Sequence, residues 1–181
     1  MKKTRFWAIA MAAVMTVGFI SCGDKDKDIT YTGNTLKNGE SIEIESFGND
    51  ADAAYPLHFT LTLNNGYLVA KGLESKPTEA AYAMGLTSEV GKTRAKIADC
   101  GEVKGLSKIE NYPQDAALKD SVAATEKYGY VLKIEGAANF NVYQNDKLRD
   151  PGTHYMRVWL EEQTDEGFNL RYEFPWVKTE E

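Results

Sequence analysis

Tyr155, Arg157 and Trp159 alternate along one stretch near the C-terminal end of the chain. On a β-strand that spacing puts all three side chains on one face. Flat aromatic rings on a sheet can stack on sugar rings, and an arginine between them supplies hydrogen bonds to hydroxyls or carboxylates. Tyr143 is the nearest further aromatic to join them, so the four residues form a candidate ligand platform. The bland reading of the same face is packing beneath another layer of the protein, with Arg157 stacked between aromatics without any ligand.

No other residues assemble into a recognisable centre. The two histidines, His58 and His154, both fall in strand-like stretches, and no HExxH, CxxC or GxSxG string is present. The 27 acidic residues always offer carboxylate pairs somewhere, but adjacent Glu161 and Glu162 point to opposite faces of a strand. Gly91-Lys92-Thr93 resembles the end of a phosphate loop, yet the required glycine five residues earlier is Leu86. Asp24, Asp26 and Asp28 have the opening spacing of a calcium loop, but its sixth and twelfth positions hold Ile29 and Thr35. We therefore expect no catalytic residues, no metal and no cofactor.

The beginning of the chain carries the most specific signal. Lys2, Lys3 and Arg5 form a cationic head, Phe6 to Ile20 is an almost unbroken apolar run, and small Ser21 precedes Cys22. That is the outline of a secretory signal, too short to make a spanning helix the default. Phe19-Ile20-Ser21-Cys22 resembles the lipobox of bacterial lipoproteins. The resemblance implies cleavage before Cys22 and acylation of its thiol and new amino terminus, and two or more acyl chains hold a protein stably at a membrane. An ordinary signal peptide would favour a small residue where Phe19 stands.

Cleavage there would leave 181 − 21 = 160 residues, with 21 − 3 = 18 basic against 27 acidic side chains, a net of −9. Such a surface repels phosphate backbones, so nucleic acid is not an expected partner. With Cys22 acylated, Cys100 has no cysteine left to pair with, and a buried, inert thiol is the expectation. Asp24 to Asp28, an acidic run diluted by Lys25 and Lys27, is similar to the surface-export signal of Bacteroidetes lipoproteins. This implies an outer-membrane anchor, with surface exposure favoured over a periplasmic one.

The elements that must position the platform read as β. Residues 1–21 are the expected signal peptide, 22–39 a flexible acidic tether, 40–178 one β-rich domain and 179–181 a tail. Ser41 to Ser46 alternates, with Ile42 and Ile44 on one face. Leu57, Phe59, Leu61 and Leu63 share a face, and Asn65-Gly66 turns the chain into Tyr67 to Leu73, with Leu63 opposite Leu68 and Leu61 opposite Ala70. His58 then lies on the polar face. Ser75 to Leu86 is the one expected helix. Thr93 to Val103 and Gly105 to Ile109 read as strand material, Ser121 to Thr125 pairs with Tyr130 to Glu135 as a second hairpin, and Asn139 to Gln144 is a short strand. His154 to Thr164 and Phe168 to Val177 close the chain across Asp165-Glu166-Gly167, with Phe168, Leu170, Tyr172, Phe174 and Trp176 on one face. The fold expected is a single, mainly β domain, an antiparallel β-sandwich with at most one short helix; a partly open β-barrel is the alternative.

Gly101 to Ile109, then Pro113, then Ala123 to Leu132 (AATEKYGYVL) look like a family of Bacteroidetes envelope lipoproteins whose shared domain has no assigned function. The resemblance brings no catalytic residues, and Gly129-Tyr130-Val131 within it implies a tight turn and core packing. Two functions follow as expectations. One is a lipid-anchored, non-catalytic binding module with a glycan or peptide ligand. The other is an assembly lipoprotein that pairs with another envelope protein by strand addition.

Overall fold

The computed structural model describes residues 29–46, 55–79, 91–137 and 152–178. It is mainly β, with antiparallel sheets and a curled half-barrel sheet, as the alternating patterns require. The strands are β1 (Ile29–Lys37), β2 (Ser41–Ser46), β3 (Leu57–Asn64), β4 (Tyr67–Gly72), β5 (Glu74–Ser75), β6 (Gly91–Glu102), β7 (Ser121–Ala123), β8 (Tyr128–Ala137), β9 (Thr153–Gln163) and β10 (Gly167–Phe174). One sheet has the order β1-β10-β9-β8-β6-β5 and the other β2-β3-β4-β7. Their inner faces bury one apolar core, and Phe59 of β3 meets Phe174 of β10 edge to face at 5.1 Å across it.

The β3–β4 hairpin forms as its sequence dictates. Asn65 and Gly66 take φ of 49° and 79°, and the register puts Leu63 opposite Leu68 and Leu61 opposite Ala70. Past β4 the chain leaves its sheet. Leu73 donates its N–H to the His58 carbonyl of β3 at 2.7 Å and accepts from the Thr93 N–H of β6 at 3.0 Å, so one residue stitches both sheets. Gly72 is required at this corner, because a Cβ there would lie 1.8 Å from the Thr93 carbonyl oxygen. Close approach, not positive φ, is its reason.

Several expectations are corrected. Ile29–Lys37, read as tether, is strand β1 on the edge of the six-stranded sheet, with a bulge between Thr32 and Asn34. Its polar composition hid it, since only Leu36 among its last residues is fully buried and the pairing with β10 decides the matter. Ser121–Ala123 pairs with β4 instead of β8, placing Val122 opposite Leu68 where it extends the core. The chain then crosses to β8 in the other sheet, and the Tyr130 hydroxyl fastens the crossing by donating to the Ala123 carbonyl and accepting the Thr125 N–H. Burial, chiefly, pushes the Tyr130 hydroxyl up to about 12. Gly105 to Ile109 contains a 3₁₀ turn, Leu106–Lys108, not strand. Gly129 lies within β8, not in a turn, and Ile109 packs against it so closely that a Cβ would come within 2.8 Å. β10 ends at Phe174, and Trp176 joins the opposite face from Phe168 to Phe174.

Tyr143, Cys22, the strand Asn139 to Gln144 and the span from Ala80 to Leu86 of the expected helix lie outside the described residues. Cys100 is exposed, not buried. Desolvation of its thiol, with the Asp99 carboxylate beside it, pushes its pKa up, so the thiolate needed for reactivity is disfavoured.

Candidate functional site

The outer face of β9 and β10 carries a second layer. The chain from Val103 to Tyr112, after β6, folds back over this face and forms a small apolar cluster from Ile109, Val131, Trp159 and Trp176. β9 alternates as expected, with Met156, Val158 and Leu160 in the main core and Tyr155, Arg157 and Trp159 facing this layer. The aromatics follow the packed reading of this face and do not form an open platform. Trp159 is only 9% exposed, and Tyr155 stacks on Tyr112 at 4.0 Å with 13° between the rings. Trp176 meets Tyr112 edge to face at 5.0 Å. The covering segment satisfies faces that a ligand would otherwise have used.

Arg157 is fixed from three directions. Its Nε donates to Glu173 Oε2 at 2.6 Å, its Nη2 lies 2.5 Å from the same oxygen, and its Nη1 donates to the Ile109 carbonyl at 3.1 Å. Its guanidinium also sits 5.3 Å from the Trp176 ring centre. Glu173 is the cross-strand partner of Arg157 in the β9–β10 register, and it is buried. A second pair lies further along the same face. Arg171 donates from Nε and Nη2 to the two oxygens of Glu161 at 3.1 and 3.2 Å, a bidentate fork that matches carboxylate geometry.

Glu161 reaches that position through a β-bulge. The β9–β10 register passes from Glu162 opposite Asn169 to Leu160 opposite Leu170, leaving Glu161 as the extra residue. The Lys127 ammonium donates to the Glu161 carbonyl and stands 5.8 Å from the Trp159 ring, and the Arg171 guanidinium stands 5.9 Å from it. Two cations therefore flank one indole.

Between this face and the segment Lys104–Ser107 lies an open cleft of about 540 Å³. Trp159 and both arginine–glutamate pairs line one side, and Lys104, Leu106 and Ser107 line the other. The volume is within the range of small-ligand sites. The indole N–H of Trp159 is buried with no hydrogen-bond partner among the described residues. Buried donors are nearly always paired, so this N–H is an exception in the packing behind the cleft. Of the expected residues, Arg157 and Trp159 line the cleft and Tyr155 supports it through Tyr112. Sequence reasoning missed Glu161, Arg171, Glu173 and Lys104. The opposite charges at alternate positions of β9 and β10 were visible, but the bulge that brings Glu161 to Arg171 was not.

The histidines stand apart from the cleft. His58 bridges β3 to its neighbours, with Nδ1 2.8 Å from the Glu74 carbonyl and Nε2 2.6 Å from Glu43 Oε1. His154 lies edge to face with Phe174 at 6.4 Å. Among the described residues no group of three or more His, Cys, Asp or Glu side chains could hold a metal ion. No described helix is long and apolar enough to cross a membrane. No protein-family model, curated protein or solved structure matches this chain.

Proposed function

We propose that this chain is a lipid-anchored protein of the bacterial cell envelope that binds a glycan, without catalysis, in the cleft beside Trp159. The lipobox-like Phe19-Ile20-Ser21-Cys22 supports the anchor, while the acidic run Asp24 to Asp28 and the stretches Gly101 to Ile109 and Ala123 to Leu132 support an outer-membrane site and a likeness to Bacteroidetes envelope lipoproteins. One observation carries the binding reading: two arginine–glutamate pairs, each locked by hydrogen bonds, line a cleft walled by an indole. Sugar hydroxyls are donors and acceptors at once, and rigid guanidinium–carboxylate pairs present both to them at no cost in ordering. A glycan suits this surface better than an extended peptide, whose apolar side chains would find only Leu106 and the indole edge.

A glycan array probed with the full chain tests the proposal. Binding by the wild type that is lost in Arg171→Met supports it. Arg171 is partly exposed, so the substitution leaves the core intact. No binding to any glycan, or binding unaffected by Arg171→Met, would count against it. A second reading rests on β1, nine residues long and terminal in the six-stranded sheet, which is suited to strand addition by another envelope protein. A cross-linking pull-down from native membranes without a stable protein partner would weigh against that reading.

A further inference from the structure

We propose that the ligand of the cleft carries a carboxylate, as a uronate-bearing glycan does, and that Lys104 is the residue that binds this group. The inference rests on the cleft being a glycan site. Its basis is the inventory of charge around the cleft.

Three cations and two anions line it, Lys104, Arg157 and Arg171 against Glu161 and Glu173, which leaves 3 − 2 = +1. The chain as a whole has a formal net charge of −6. The cleft lining thus carries one surplus cation on a chain that is acidic as a whole. The charge of both arginines is already paired: Arg157 turns Nε and Nη2 to Glu173 and Nη1 to a carbonyl, and Arg171 turns Nε and Nη2 to Glu161, which leaves N–H groups such as Arg171 Nη1 for neutral hydroxyls. Lys104 is exposed and makes no ion pair among the described residues. Its ammonium is therefore the uncommitted charge at the site.

For a neutral sugar, that ammonium adds ordinary hydrogen bonds. For a carboxylate it adds a charge-assisted bond, roughly twice as strong, and a field that draws the anion into the cleft. Glu161 and Glu173 set the upper limit. A densely sulfated sugar would bring several anions at once against two fixed carboxylates, whereas the one carboxylate of the sugar residue seated beside Lys104 matches the single surplus cation. The paired arginines and glutamates then serve the hydroxyls.

The test is titration calorimetry of the full chain in detergent with trisaccharides of galacturonate, glucuronate and mannuronate, their methyl esters, and neutral maltotriose and cellotriose. At least one uronate trisaccharide should bind on the order of tenfold more tightly than its methyl ester, and added salt should narrow the gap. Lys104→Gln should abolish the difference between acid and ester, and Lys104→Arg should preserve it. Equal affinity for acid and ester, or a preference that survives Lys104→Gln, overturns the inference. Binding of neutral sugars without any uronate overturns it while leaving the glycan reading standing. If no saccharide binds, both fall.

Discussion

Arg157 of β9 and Glu173 of β10 face each other across the outer side of the sheet, with Nε and Oε2 2.6 Å apart and the carboxylate buried beneath the segment Val103 to Tyr112. The pair joins the covering layer to the sheet, because the same guanidinium holds the Ile109 carbonyl. Removing one partner leaves a buried, uncompensated charge. Arg157→Leu should therefore cost about 3 kcal/mol in urea denaturation, while Arg157→Leu with Glu173→Leu should recover most of that loss. A double variant as unstable as the single one would show that packing, not charge pairing, holds this face.

The corner at Gly72 gives a sharper structural prediction. A methyl group there would meet the Thr93 carbonyl at 1.8 Å, in backbone that also carries the Leu73 hydrogen bonds to both sheets. Gly72→Ala should lower stability by about 3 kcal/mol or more. Gly66→Ala, where φ is 79° but open space surrounds the position, should cost less, about 1 kcal/mol. Similar thermal midpoints for the two variants would contradict the close-approach explanation.

His58 makes the fold respond to pH. Desolvation lowers its pKa, but the Glu74 carbonyl and the Glu43 carboxylate, with Glu45 nearby, outweigh this and raise it overall. Both ring nitrogens face acceptors, so the doubly protonated ring suits the site. A folded pKa above the unfolded one stabilises the protein fully below about 6.5, and that stabilisation is lost as pH rises through the folded value. Unfolding free energy should thus fall from mildly acidic to mildly alkaline solution. His58→Gln should remove that slope, and an unchanged slope in this variant would sink the assignment.

Acylation at Cys22 is tested in cells. Metabolic labelling with a palmitate analogue should mark the wild type and not Cys22→Ala, which should also be released from the membrane fraction. Label retained on Cys22→Ala would place the lipid elsewhere.

Much of the fold was legible because alternation has only one meaning on a half-buried strand. Leu57 to Leu63, Asn65-Gly66 and the β9–β10 pair fell where their side-chain period and turn residues put them. What escaped was decided by partners distant in sequence. β1 is too polar to announce itself and becomes a strand because β10 offers an edge; β7 has one buried residue and follows β4 because Leu68 needs Val122 opposite. The candidate site was half legible for the same reason. Alternation aimed Arg157 and Trp159 outward, but nothing local revealed that Val103 to Tyr112 would cover Tyr155 and Trp159, or that a bulge would bring Glu161 to Arg171. The candidate aromatic face is packed, and beside it lies a polar cleft with a tryptophan wall.

The most direct test of the account is the indole N–H signal of Trp159 in a nitrogen-15 tryptophan-labelled full chain, assigned by its disappearance in Trp159→Phe and followed during titration with the tightest-binding saccharide. This signal should shift progressively and saturably as the surroundings of the cleft-lining indole change, and it should stay still when Arg171→Met is titrated in the same way. Saturable binding that leaves the Trp159 signal unmoved in the wild type would contradict the account, because the ligand would then sit away from the cleft.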